Sequence, residues 1–125
     1  MAIRILDIGE CGFDGPRMAA LWQKKLGAQV DRIASGEEAQ QRLDEHDYNL
    51  VLVNRVLAVD GSSGLDVIKT LRDTGTKVPV MLVSDLADAQ DAAVELGAVR
   101  GFGKSRLEDQ STLDLVERVA RGDAA

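Results

Sequence analysis

Short apolar runs alternate along this chain with segments whose apolar residues recur every three or four positions. Ile3-Arg4-Ile5-Leu6-Asp7-Ile8 reads as a first strand. Residues 16–26 read as a helix, because Pro16 suits a first turn, Gly27 stands just past the end, and Met18, Leu21, Trp22 and Leu26 share one face. A weaker strand is predicted over 28–34. Ser35-Gly36-Glu37-Glu38 has the spacing of a capping box, in which the serine and the glutamate each satisfy the other's backbone N–H, and predicts a mostly polar helix through about Glu45. The runs Leu50 to Val53 and Val78 to Val83 are uniformly apolar, as strands covered on both faces are. Between them a helix opens at Ser63-Gly64-Leu65-Asp66, buries Val67, Ile68 and Leu71, and stops at Gly75. An alanine-rich helix over 85–96 ends at Gly97, a natural left-handed stop. The last strand is predicted over 99–103. A final helix starts at Ser111, with Leu113, Val116, Val119 and Ala120 inward and Arg118 and Arg121 near the negative end of its dipole.

Five strand–helix units in succession imply an α/β fold, a doubly wound five-stranded parallel sheet with helices on both faces, because each crossover must be right-handed. A chain of 125 residues suits a single core. One domain over 1–122 is expected, with a frayed tail at 123–125. In open sheets of this kind ligands gather at the carboxyl ends of the strands. The residues placed there are Asp7, Gly9, Glu10, Asn54, Ser84 and Lys104.

Composition narrows the function classes. A net charge of −6, with Lys24-Lys25 as the longest basic cluster, argues against nucleic-acid binding, which needs a concentrated basic face. No apolar stretch approaches the ~20 residues needed to span a bilayer, so no membrane role is expected. A single cysteine, Cys11, allows no internal disulfide and fits a reducing compartment. The cytoplasm is the expected location. Gly9-Glu10-Cys11-Gly12-Phe13-Asp14-Gly15 is rich in glycine but has neither phosphate-binding fingerprint, and Glu10 and Asp14 would repel an anion.

The strand ends Asn54, Ser84 and Lys104, with the tracts Gly64-Leu65-Asp66-Val67-Ile68-Lys69, Glu95-Leu96-Gly97-Ala98 and Gly101-Phe102-Gly103-Lys104, resemble the receiver domain family of two-component response regulators. The resemblance spans essentially the whole chain and implies a (βα)5, flavodoxin-like topology. In that family an aspartate on the third strand accepts a phosphoryl group from a phosphohistidine. An acidic pair after the first strand helps to hold magnesium, and a hydroxyl residue and a lysine grip the phosphoryl oxygens. By position, Asn54 replaces the phosphoacceptor, Ser84 matches the hydroxyl, Lys104 the lysine and Phe102 the switch aromatic. The acidic pair falls on Gly9-Glu10 or on Asp7-Ile8, and one carboxylate is missing either way.

A carboxamide is neutral and does not take up a phosphoryl group as a carboxylate does. Magnesium binding with so few hard, charged oxygens is expected to be weak or absent, and no other cofactor is implied. The resemblance thus implies a stand-alone pseudo-receiver, a signalling module and not an enzyme. It would act through contacts with a histidine kinase, an output protein or a second copy, on a face that includes Arg100, Val116 and position 117 (Glu117). In such a pocket the Asn54 amide oxygen is expected to accept a hydrogen bond from Lys104. Two alternatives stand beside this reading. One is a flavodoxin-like domain binding a small ligand beside Gly12 and Gly15. The other is a receiver phosphorylated at a non-standard carboxylate, Asp60 or Glu10.

Overall fold

Alternate residues of the central strands face opposite helical layers, and this sorting builds the molecule. The computed structural model describes residues 2–122. The elements run β1 (Arg4–Ile8), α1 (Asp14–Leu26), β2 (Gln29–Ile33), α2 (Ala39–Glu45), β3 (Leu50–Asn54), α3 (Gly64–Asp73), β4 (Val80–Val83), α4 (Ala87–Glu95), β5 (Val99–Phe102) and α5 (Gln110–Ala120). The five strands form one parallel sheet in the order β2-β1-β3-β4-β5. The expected tail at 123–125 lies outside the described residues.

Ile5, Leu50, Leu52, Met81 and Val83 point to one side, where Met18 and Trp22 of α1 and Leu113, Val116 and Val119 of α5 pack on them. Leu6, Ile8, Val51, Val53 and Leu82 point to the other, against Ala39 of α2, Ile68 and Leu71 of α3 and Ala93 of α4. Two complete apolar layers explain why the central runs are apolar throughout and do not alternate with polar residues. Trp22 meets Phe102 edge to face in the first layer, at 5.7 Å between ring centres, and Tyr48 lies in the second.

Local signals hold at most boundaries. Gly27, Gly75 and Gly97 all adopt positive φ just past a helix, where an L side chain would clash with the following carbonyl. Ser63 caps α3 by accepting from the Leu65 N–H at 3.2 Å. The capping box at Ser35 does not form. Gly36–Glu38 winds into a 3₁₀ turn without a side-chain cap, and α2 begins only at Ala39. The turn presses so close to α3 that a Cβ on Gly36 would lie 2.9 Å from a Val67 methyl, so tertiary packing sets its shape.

One irregularity stands near the far edge. Met81 pairs with Val99 but Val83 with Phe102, so β5 spends three steps where β4 spends two. This is a β-bulge at Arg100-Gly101, next to the strand ends where such bulges re-aim side chains.

Candidate functional site

The carboxyl ends of β1, β3, β4 and β5 converge on one region, and the register separates the two placements of the acidic pair. Ile8 pairs with Val53, so Gly9 stands level with Asn54 at the strand ends. Asp7 pairs with Leu52 and lies within the strand, on the face of Ile5. Gly9-Glu10 are therefore the residues at the mouth, while Asp7 is below it in the α1–α5 layer.

Gly9 has φ +84°, and a Cβ there would meet Leu57 Cγ at 2.5 Å. Leu57, 1% exposed, comes from the loop between β3 and α3 and occupies the space that a side chain at position 9 would need. The loop is tied down at the same point, because Ala58 donates its N–H to the Gly9 carbonyl at 3.0 Å. Asn54 completes the closure. Its Nδ2 donates to Val56 O at 2.8 Å and to Gly9 O at 3.3 Å. Both partners are carbonyls, to which an amide N–H2 donates and an ionised carboxylate cannot, so the geometry suits the carboxamide and not an aspartate. The expected bond between Asn54 and Lys104 is not among these contacts.

Lys104 is engaged elsewhere. Its Nζ lies 2.8 Å from Glu10 Oε1 and 2.8 Å from Asp14 Oδ2 at the start of α1. The Glu10 side chain is 1% exposed and that of Lys104 27%, so the pair is largely removed from water. Burial pushes the Glu10 carboxyl above the ordinary value, although Lys104 opposes the shift. Asp14 is held below its ordinary value, chiefly by its hydrogen bond from Lys104. Burial pulls the lysine down, but its bonds to Asp14 and Glu10 outweigh this and leave it raised.

Asp7, expected at the strand ends, lies one step below them. It is 1% exposed, and neither carboxylate oxygen has a hydrogen-bond partner. The indole N–H of Trp22, in the same layer, is also unpartnered. Burial, reinforced by the nearby Glu10 charge, pushes the Asp7 carboxyl well above the usual carboxylate range.

Ser84 is buried at the end of β4. Its hydroxyl accepts from the Leu86 N–H at 3.1 Å, stabilising the turn into α4, whose N-cap is Leu86. Phe102, the expected switch aromatic, is 6% exposed and belongs to the α1–α5 core. The expected interaction face needs a correction. Val116 has no exposed surface, because α5 turns it onto the sheet beside Leu113 and Val119. Glu117 is half-buried and pairs with Arg121 at 3.2 Å. Arg100 is exposed and forms an ion pair with Asp91 of α4.

The residues here do not fit a magnesium ion. Gly9 offers no carboxylate, Glu10 is committed to Lys104, and Asp7 is buried beneath. Among the described residues no group of three or more His, Cys, Asp or Glu is arranged to hold a metal. The space beside Gly15 is filled too, while that at Gly12 is open. The Arg32 guanidinium lies within 2.1–2.4 Å of where a Gly15 Cβ would stand, and it donates to Cys11 O at 3.3 Å. Asp60 is exposed, and its carboxylate closes a turn by accepting from the Ser62 N–H at 2.9 Å. Among the described residues no helix is long and apolar enough to cross a membrane.

Leu57 is the site residue that the residue pattern alone did not mark. An apolar residue within an otherwise turn-like loop was the available signal.

Solved structures share this fold. The BeF3-activated N-terminal receiver domain of RstA from Klebsiella pneumoniae superposes with a TM-score of 0.80 at 21% identity, covering 94% of this chain and 98% of that one. NtrX from Brucella abortus gives a TM-score of 0.77 at 19% identity over 98% of this chain and 28% of its own. In sequence, the two-component response regulator PhoP of Pseudomonas aeruginosa is 34% identical over 77 residues, which are 59% of this chain. The match spans 33% of PhoP's length, so this chain corresponds to about a third of that relative. The response regulator receiver domain family matches residues 16–113, and with the sheet order in agreement, this chain belongs to that family.

Proposed function

We propose that this receiver domain is a pseudo-receiver, a non-enzymatic signalling module that works through protein contacts without phosphorylation at the usual position. The observation that carries this reading is the internal neutralisation of the pocket. Lys104, the cation that would meet a phosphoryl group, is held at 2.8 Å by two carboxylates of the chain itself, Glu10 and Asp14. Asn54 stands at the acceptor position and is spent on the Gly9 and Val56 carbonyls. Leu57 lies over Gly9, where a metal-binding acid would project. An incoming phosphoryl group would have to displace two charge-assisted contacts and a buried leucine, with no carboxylate to receive it.

Magnesium affinity is accordingly weak. A partner would be a histidine kinase, an output protein or a second copy, reading the shape of the domain and not its phosphorylation.

Intact-protein mass spectrometry after incubation with magnesium and a small acyl-phosphate donor tests the reading, under mild conditions that preserve acyl phosphates. No mass gain is expected. A gain of one phosphoryl group would overturn it, and peptide mapping would then assign the acceptor to Glu10, Asp60 or another carboxylate.

A further inference from the structure

Helix α4 is fastened to the sheet by a side chain that acts as a rung of the ladder. Gln90 and Ala93 are its buried residues, and Gln90 is only 5% exposed. The Gln90 Nε2 donates to Leu82 O at 2.9 Å and to Ser84 O at 3.0 Å, and its Oε1 accepts from the Gly101 N–H at 2.9 Å. Both amide hydrogens and the amide oxygen are thus used on the backbone of two adjacent strands.

The bulge in β5 creates the need for this rung. Arg100 and Gly101 together stand opposite Leu82, which interrupts the regular pairing of β4 with β5. The strands are also unusually close there. A Cβ on Gly101 would lie 2.2 Å from Leu82 O, so the backbone tolerates only glycine at that point. The groups left over by the bulge are satisfied by the Gln90 amide. The Arg100–Asp91 ion pair also links α4 to β5, but it is exposed and such pairs contribute little. Ser84 extends the link to the strand-end pocket. Its carbonyl accepts from Gln90, its hydroxyl caps the turn into α4, and its N–H donates to Phe102 O at 2.9 Å.

We propose that Gln90 is a built-in lock that holds α4, the end of β4 and the β5 bulge in one arrangement, so that the α4–β5 face does not move with the state of the strand-end pocket. Sliding α4 across β5 breaks three hydrogen bonds together, two buried and one partly buried, and leaves polar groups with little water to replace the partner. The lock follows from the geometry around Gln90 and is independent of the identity of residue 54.

Backbone ¹⁵N relaxation dispersion and amide hydrogen exchange on the full chain test it, using wild type and Gln90→Met, which keeps the length of the side chain but none of its polarity. Wild type should show no millisecond exchange over residues 84–91 and 99–103. In Gln90→Met the Gly101 amide should exchange on the order of 10–100-fold faster, the factor expected for a lost buried hydrogen bond. Exchange broadening should then appear in both segments, while Val51 in the sheet centre changes less. Millisecond exchange across both segments in wild type would overturn the lock, as would unchanged Gly101 protection in the variant. Because the wild-type measurement is decisive alone, a variant that fails to fold leaves the proposal falsifiable. Repeating it with magnesium and the small phosphodonor separates the two readings. A mass gain with unmoved α4–β5 amides rejects the pseudo-receiver and keeps the lock. No gain with a mobile face does the reverse.

Discussion

Replacing Asp7 with valine is expected to stabilise this protein, an unusual outcome for a buried substitution. Asp7 is 1% exposed with both carboxylate oxygens unpartnered, on the sheet face shared by Ile5 and Leu52. A buried polar group without a partner costs ~1–3 kcal/mol. Valine removes that cost and contributes roughly 1 kcal/mol through apolar burial and strand preference, for a sum of ~2–4 kcal/mol. For a domain of this length that corresponds to a rise in Tm of roughly 10 °C. The gain should also depend on pH with a defined sign. Folding raises the Asp7 carboxyl well above its ordinary value of 3.8, so the folded state holds a proton that the unfolded chain releases. Below that value both states are protonated, and the residue adds no pH dependence. Above it, wild-type stability falls as pH rises, by up to about 1.4 kcal/mol per unit for one proton, until the folded carboxyl itself ionises. Urea titrations from pH 3.5 to 8 would measure this, followed through the fluorescence of Trp22, the single tryptophan and fully buried. The valine–wild-type difference should grow with pH across that window, and Asp7→Asn should flatten the slope while recovering less stability. A valine variant destabilised by more than about 1 kcal/mol, or a difference independent of pH, would refute the reasoning, because either means that Asp7 has a partner in the folded state.

Lys104→Met should cost ~2 kcal/mol, since it leaves the buried Glu10 carboxylate without its cation, and adding Glu10→Gln should restore more than half; a loss under ~0.5 kcal/mol in urea would show that the pair contributes little. Asn54→Asp should destabilise by ~1–2 kcal/mol at pH 7, because a carboxylate would face the Gly9 and Val56 carbonyls, and the loss should shrink at pH 4 as the new acid is protonated. The same variant should gain no robust magnesium-dependent phosphorylation by mass spectrometry, and strong labelling would show that Leu57 and the Glu10–Lys104 pair yield easily. Gly103→Ala should cost ~1–3 kcal/mol, as its Cβ would stand 1.7 Å from Asp85 Oδ1 and 2.7 Å from Asp85 Cα; thermal melts within 2 °C of wild type would mean that the loop after β4 gives way freely.

The amino-acid sequence by itself determined the layering of this protein. Uniformly apolar runs at Leu50 to Val53 and Val80 to Val83 require cover on both faces, and helical periodicity with glycine stops places that cover between the strands. From this the parallel sheet and the position of the strand-end site follow, because handedness and burial leave few other arrangements. Asn54 and the missing acid were legible as chemistry, since residue type alone decides what can accept a phosphoryl group or hold a metal.

Tertiary structure alone decided what each polar side chain does there. Lys104 meets Asp14 across 90 positions of sequence, a pairing that no local pattern encodes. Leu57 reaches Gly9 only because the loop after β3 folds back over β1. Helical periodicity placed Val116 inward, yet its position on a familiar docking helix suggested exposure; packing against the sheet resolved the conflict. Gln90 reads as a surface glutamine until the bulge at Gly101 creates unpaired backbone for it to bind. Periodicity reports which face of an element is covered, through the apolar area that covering removes from water. Hydrogen bonds and ion pairs depend on ångström-scale approach between distant segments, and only the folded chain sets those distances.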